Sequence, residues 1–226
     1  DFHHLSHLLI GRRDPGQTCD VVVLDNHPDN MRFPFGIHCG SWVRHSAAWP
    51  WVGTIHVLGI TSADVTWRHA WENHLLPLYR GRVRYWTIGV ATSWATHLGL
   101  SGAVASFPTA AALVAAFIAF LASQRRPVYL SIDKDVLDPA VARTNWDQGC
   151  LALADVQHLI AALTGRLVGS DVTGEVSAYR YRAGWKRWLS ALDDQPAVAA
   201  DQLAGWQAQQ NAVNRQLLGW IRAAGG

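Results

Sequence analysis

Two short stretches of this chain concentrate side chains that bind cations. Asp25-Asn-His27-Pro-Asp29 follows the apolar run Val21-Val-Val-Leu24, and Asp133-Lys-Asp135 follows Val128-Tyr-Leu-Ser-Ile132. Alternate side chains of an extended strand share one face. Asp25, His27 and Asp29 therefore converge if the extended geometry continues past the strand end, and Asp133 and Asp135 do the same from a second strand. Four crowded carboxylates repel, and some would take up protons unless cations neutralise them. Their charge balances two divalent ions. His27 and one histidine of Asp1-Phe-His3-His4-Leu-Ser-His7 would add neutral nitrogen. An oxygen-rich set with two imidazoles favours Mn²⁺, with Zn²⁺ or Fe²⁺ as alternatives. Two such ions share a water whose pKa falls, giving a hydroxide near neutral pH that can attack a planar, electrophilic carbon.

Something must bring these clusters together. Apolar, β-branched runs recur at residues 19–24, 54–60, 84–90, 128–132 and 166–169, and read as strands. Residues 4–10, 61–79, 109–124, 153–163 and 201–223 read as helices. Strands alternating with helices predict a three-layer α/β/α fold, a doubly wound parallel sheet covered on both faces. Ligands bind outside the carboxyl ends of the strands in such sheets, which is where both acidic clusters lie. Prolines at 34, 50, 108, 127, 139 and 196 fall at breaks between elements. No repeat or linker divides the chain, so residues 1–226 read as a single domain.

The bulk composition narrows the function. Of 226 residues, 50% are hydrophobic and 16% charged, which suits one well-buried domain. A net charge of +2 is too small to argue for nucleic acid. Three scattered cysteines, Cys19, Cys39 and Cys150, argue against a disulfide framework and for a reducing cytoplasm. The uncharged stretch 109–123 is shorter than the ~20 residues a bilayer needs, so no membrane partner is expected. The expected partner is a small-molecule substrate, and a homo-oligomer is left open.

The motifs resemble those of the ureohydrolases, the family of arginase and agmatinase. Members carry a Gly-Gly-Asp-His turn, then Asp-Ala-His-x-Asp, then Ser-x-Asp-x-Asp-x-x-Asp-Pro. Here the second is Asp25-Asn-His-Pro-Asp29 and the third is Ser131-Ile-Asp-Lys-Asp-Val-Leu-Asp-Pro139; the first survives only as Asp1-Phe-His3-His4. The resemblance implies an arginase/deacetylase-like fold with two Mn²⁺ per chain, bound by His3, Asp25, His27, Asp29, Asp133 and Asp135. It selects His3 over His4 because that alignment keeps the following helix in register. It implies hydrolysis of a linear C–N bond in a guanidino or amidino substrate by a metal-bridging hydroxide, which Asp29 could also aim. His38, in Gly36-Ile-His38-Cys-Gly40, matches a proton shuttle and would protonate the leaving amine. Glu175, in Asp171-Val-Thr-Gly-Glu175, matches the carboxylate that holds the substrate guanidinium, although its spacing from Asp171 is one residue longer than usual. Asp171 could instead orient the site from behind. A ligand-bearing turn normally follows a strand, so a strand is expected ahead of Asp1 in a longer protein.

Several features depart from the family. Lys134 replaces an apolar residue, and by strand alternation it should point away from the metals. The loops Asn30-Met-Arg-Phe-Pro-Phe35 and Arg143-Thr-Asn-Trp-Asp-Gln-Gly149 differ from the usual substrate-binding stretches. The run Tyr179-Arg-Tyr-Arg-Ala-Gly-Trp-Lys-Arg-Trp188 reads as a solvated turn with arginines packed on tryptophans, or as a rim for an anionic substrate group. Two alternatives therefore accompany the hydrolase reading: a deacetylase-type amidohydrolase of the same fold, which would bind one zinc, and a non-catalytic metal-binding relative. The second carboxylate, Asp135, argues against the former.

Overall fold

In the computed structural model, residues 2–176 and 200–225 are described. Helix α1 (Leu5–Gly11) opens the chain, followed by β1 (Cys19–Leu24), α2 (Trp42–Ala47), β2 (Val52–Ile60), α3 (Leu75–Tyr79) and β3 (Val83–Ile88). Then come α4 (Ser93–His97), β4 (Val104–Phe107), α5 (Ala110–Ala122), β5 (Val128–Asp133), α6 (Leu153–Ala161), β6 (Leu167–Thr173) and α7 (Ala200–Gly225). The six strands form one parallel sheet in the order β4-β3-β2-β1-β5-β6. The chain runs outward from β1 through β2 and β3 to β4, then returns through α5 to lay β5 on the other side of β1. That reversal puts a crevice between the carboxyl ends of β1 and β5.

Strands β1 and β5 are buried along their whole length because helices cover both faces, and this is why they read as unbroken apolar runs. On one face Val22, Leu24, Leu130 and Ile132 pack against Leu113, Val114, Phe117 and Leu121 of α5 and against α6 and α7. On the other face Val21, Val23 and Tyr129 pack with Ile10 of α1 and with Trp42, Val43 and Ala47 of α2. Each fully buried aliphatic side chain contributes roughly 1.5–3 kcal/mol. The three expected layers are therefore present. No helix among the described residues is long and apolar enough to cross a membrane.

The departures from the expected elements have local causes. Residues 61–79 were expected as one helix; they form two 3₁₀ turns, Ala63–Val65 and Ala70–Glu72, before the short α3. There the Ser62 hydroxyl accepts from the Asp64 amide, and Thr66 Oγ1 donates to the Ala63 carbonyl at 2.6 Å, a competition that draws such residues out of helices. A bridge between Met31 and Asn73 ties the same segment to the loop after β1. Strand β4 was not expected: its four residues sit at the sheet edge and are only partly buried, so no apolar run marks them. The short helices α2 and α4 were also missed.

Candidate metal centre

The register of β1 against β5 pairs Leu24 with Ile132, so the next residues, Asp25 and Asp133, leave the sheet side by side. The register of β5 against β6 pairs Ser131 with Asp171 and Asp133 with Thr173. Each aspartate then bends the chain with its own side chain. Asp25 Oδ1 accepts from the His27 amide at 2.7 Å, and Asp133 Oδ1 accepts from the Asp135 amide at 3.0 Å. These turns leave the other oxygen of each carboxylate facing the crevice. Asp135 Oδ1 is taken by the Asn26 amide at 3.0 Å, which locks the two turns together.

His3, immediately before α1, is fully buried against this cluster. Its Nδ1 lies 2.9 Å from Asp25 Oδ2, 3.0 Å from Asp29 Oδ2 and 3.5 Å from Asp133 Oδ2. Its other nitrogen, Nε2, meets Ser131 Oγ at 2.9 Å. Ser131 and Ser6 both donate to Asp171 Oδ1 at 2.8 Å, and Tyr129 donates to Asp171 Oδ2. Asp171 thus orients His3 through Ser131, while His4 stays outside, only partly buried. His27 Nδ1 lies 3.0 Å from Asp135 Oδ2 and 3.6 Å from Asp25 Oδ1. Asp29 has a positive φ of 46°, unusual for a residue with a side chain. It is held there by the Trp42 indole, which donates to Oδ2 at 2.6 Å, and by the Val43 amide on its carbonyl.

The result is two adjoining ligand groups, His3–Asp25–Asp133 and Asp25–His27–Asp135, which share Asp25. A single histidine proton can satisfy one of the three oxygens around His3 Nδ1; a divalent cation can take all of them. No lysine or arginine among the described residues pairs with these carboxylates. Protons consequently stand in for positive charge. Burial and the Asp135 charge push Asp133 up to about 7, while burial and the Asp25 charge push Asp135 up to about 6. Burial and the Asp25 charge likewise raise Asp29. Burial opposes a charged His3 and a charged His27, yet hydrogen bonds to the surrounding carboxylates raise both above the ordinary value. Buried oxygen and imidazole donors that must otherwise hold protons suit a pair of hard or borderline divalent cations.

Beside the cluster lies a cavity of about 520 Å³ bordered by His27, Asp29, Phe33, His38, Trp146 and Asp147 among others. This is the size of a small-molecule site. His38 stands at its exposed edge, with its ring stacked on Phe33 at 4.7 Å and its Nδ1 accepting from the Gly40 amide at 3.3 Å. Cys39 beside it keeps its thiol, because burial pushes its pKa up to about 12.

Two residues stand differently from the sequence expectation. Glu175, expected at the substrate guanidinium, does not border this cavity. Its Oε1 receives the buried Lys134 ammonium and the Asn214 amide, the latter at 2.7 Å. The structure gives that carboxylate the task of neutralising Lys134. The extended geometry expected past the strand end is not kept, because β5 stops at Asp133 and residues 134–136 wind into a 3₁₀ turn that sends the Lys134 ammonium to Glu175. Asp147, which no spacing rule singled out, accepts from or pairs with His27 Nε2 at 2.7 Å and receives Asn26 Nδ2 on Oδ2 at 3.2 Å. Its signal was only the unusual composition of the loop that carries it. The basic and aromatic run Tyr179 to Trp188 lies outside the described residues.

A model of the arginase family matches residues 6–182. A protein of Thermotoga maritima described as uncharacterized is 26% identical over 187 residues, covering 82% of this chain and 58% of that one. The chain thus spans little more than half the length of that curated relative. Among solved structures, proclavaminate amidino hydrolase from Streptomyces clavuligerus superposes with a TM-score of 0.60 at 21% identity, covering 99% of this chain and 62% of that one. Agmatine ureohydrolase of Thermoplasma volcanium gives 0.61 at 20% identity, covering 99% and 59%. A triple mutant of a T. brucei arginase-like protein bound with Mn²⁺ gives 0.56 at 17% identity, covering 98% and 58%. At these identities the structural likeness speaks for the fold.

Proposed function

The chain belongs to the arginase family, and from that premise we propose that it is a metal-dependent hydrolase of linear C–N bonds acting on a guanidino or amidino group. One observation carries the reading: two ligand groups share Asp25 and pair with no lysine or arginine among the described residues. His3, Asp25, Asp29 and Asp133 would hold one cation, and Asp25, His27 and Asp135 the other. The oxygen-rich donor set favours Mn²⁺, the ion bound to the T. brucei neighbour. When bound, two divalent cations supply Lewis acidity and a nucleophile at neutral pH.

The chain's own groups do the rest. Asp29, fixed by Trp42, has a second oxygen with which to accept a hydrogen bond from the attacking water and aim it at the trigonal carbon. His38 borders the cavity and donates a proton to the departing amine, its ring held by Phe33. Asp171 and Asp147 keep the two ligand imidazoles in orientation from behind. We read residues 1–226 as one arginase-like unit. Its three free cysteines support a reducing, cytoplasmic setting.

Elemental analysis after Mn²⁺ loading and dialysis tests this reading, paired with a urea- and ammonia-release screen over guanidino and amidino compounds. About two ions per chain, lost in Asp133→Ala together with turnover, is the expected result. One zinc per chain would favour a deacetylase-type amidohydrolase, and no bound metal would sink the enzyme reading.

A further inference from the structure

The cavity beside the carboxylate cluster has a cationic wall as well as an acidic one. Arg32, on the loop that follows Asp29, borders it. The backbone there is pinned: the Arg32 amide donates to the Glu72 carbonyl at 2.7 Å, and the Met31 amide donates to the Gly40 carbonyl at 2.8 Å. Among the described residues the guanidinium is not pinned: its Nε makes only a long 3.5 Å contact with the Asn73 carbonyl, and no carboxylate forms an ion pair with it. Of the three acids that border the cavity, Asp147 is engaged with His27 and Asn26, and Asp29 with Trp42 and His3, while Asp64 forms no ion pair with Arg32.

An unpaired arginine on an open surface needs no explanation, since water solvates it. An arginine on the wall of a concave, otherwise acidic cavity has a consequence for binding. A ligand that is cationic at both ends gains from the acids and is repelled by Arg32. A ligand with a carboxylate at its far end is matched at both ends. The planar guanidinium offers parallel donors that fit a carboxylate, which a lysine would not reproduce.

We propose that Arg32 is a specificity-determining residue, selecting an amidino or guanidino substrate whose opposite end is a carboxylate rather than an amine. This rests on the hydrolase reading of the same site for the identity of the reacting end, but its test does not require turnover. The Mn²⁺-loaded protein is titrated calorimetrically with γ-guanidinobutyrate and with agmatine, which carry a carboxylate and an amine at the far end. The wild type is expected to prefer γ-guanidinobutyrate by roughly tenfold or more, the scale of a charged hydrogen-bonded pair. Arg32→Gln is expected to abolish the preference, Arg32→Lys to keep part of it, and Arg32→Glu to reverse it. Arg32 is exposed, so metal content and melting temperature should be unchanged in these variants. A wild type that binds the two equally, prefers agmatine or binds neither would overturn the proposal, as would an unaltered preference in Arg32→Gln. Selective binding without urea or ammonia release would leave the role of Arg32 standing and remove the hydrolase reading instead.

Discussion

Replacing Asp147 by alanine should weaken metal binding without touching a metal ligand. His27 presents Nδ1 to Asp25 and Asp135 and Nε2 to Asp147 at 2.7 Å. The hydrogen bond from His27 holds the Asp147 carboxyl below its ordinary pKa, so Asp147 is ionised at neutral pH. An ionised carboxylate on Nε2 fixes the proton there and leaves Nδ1 free to donate its lone pair, the arrangement that raises ligand basicity. A charged hydrogen bond contributes about 1.5–3 kcal/mol. The Asp147 side chain is 65% exposed, and solvent screening puts this contact at the low end. About 1.5 kcal/mol corresponds to roughly tenfold in affinity. The alanine variant keeps the backbone carbonyl of residue 147, which also receives Asn26 Nδ2 at 3.0 Å, so the loop should hold its place. Calorimetric titration of the chelator-stripped protein with Mn²⁺ measures the effect, with circular dichroism as the folding control. A double-mutant cycle separates the mechanism from a general loosening. If Asp147 acts through His27, Asp147→Ala should cost almost nothing in a His27→Ala background. An affinity within twofold of wild type, or an equal loss in both backgrounds, would refute the reasoning.

Glu175→Ala should destabilise the protein by about 2 kcal/mol, because it leaves the fully buried Lys134 without a counter-charge; the half-exposed position of Glu175 reduces the usual cost. Adding Lys134→Met should restore most of that loss, and urea denaturation of both variants would decide it. His56 is buried among Phe117, Phe120 and Trp86, whose indole donates to His56 Nδ1 at 3.3 Å. Burial pushes its pKa down to about 4, with Arg84 adding to the effect and Asp20 opposing it. Between the unfolded value of about 6.5 and about 4 the unfolded chain binds the extra proton. This contribution to stability is therefore complete above pH 6.5 and falls, by about 3 kcal/mol in all, as pH drops to 4. Stability curves of His56→Gln should lack that part of the slope; an identical slope would be evidence against it. Gly174 has a φ of 81°, and a Cβ there would sit 2.3 Å from Asp133 Oδ1 and 2.6 Å from the Lys134 nitrogen. Gly174→Ala should cost about 2 kcal/mol or more in thermal unfolding and weaken metal binding as Asp133 is displaced.

Residue spacing alone determined the heart of this protein. Asp25, His27, Asp133 and Asp135 could be read as one set because a strand has a period of two and central parallel strands are apolar throughout. Both signals are local in sequence. Lys134 lies beyond that period, since β5 ends at Asp133 and a 3₁₀ turn over Lys134–Val136 sets its direction. Signals failed where the deciding partner is distant in the chain or the element is short. His3 was chosen over His4 by resemblance, and its place among the carboxylates comes from α1 packing beside β6. Asp147 reaches His27 across 120 residues through a loop with no periodicity. Glu175 stands in a recognisable motif, yet its carboxylate answers Lys134 and Asn214, and Asn214 arrives only when α7 docks. The edge strand β4 carries too little buried surface to leave an apolar run. Covalent neighbours and side-chain period decide which groups emerge at a strand end; which of them meet is decided by burial, which couples residues that sequence spacing keeps apart.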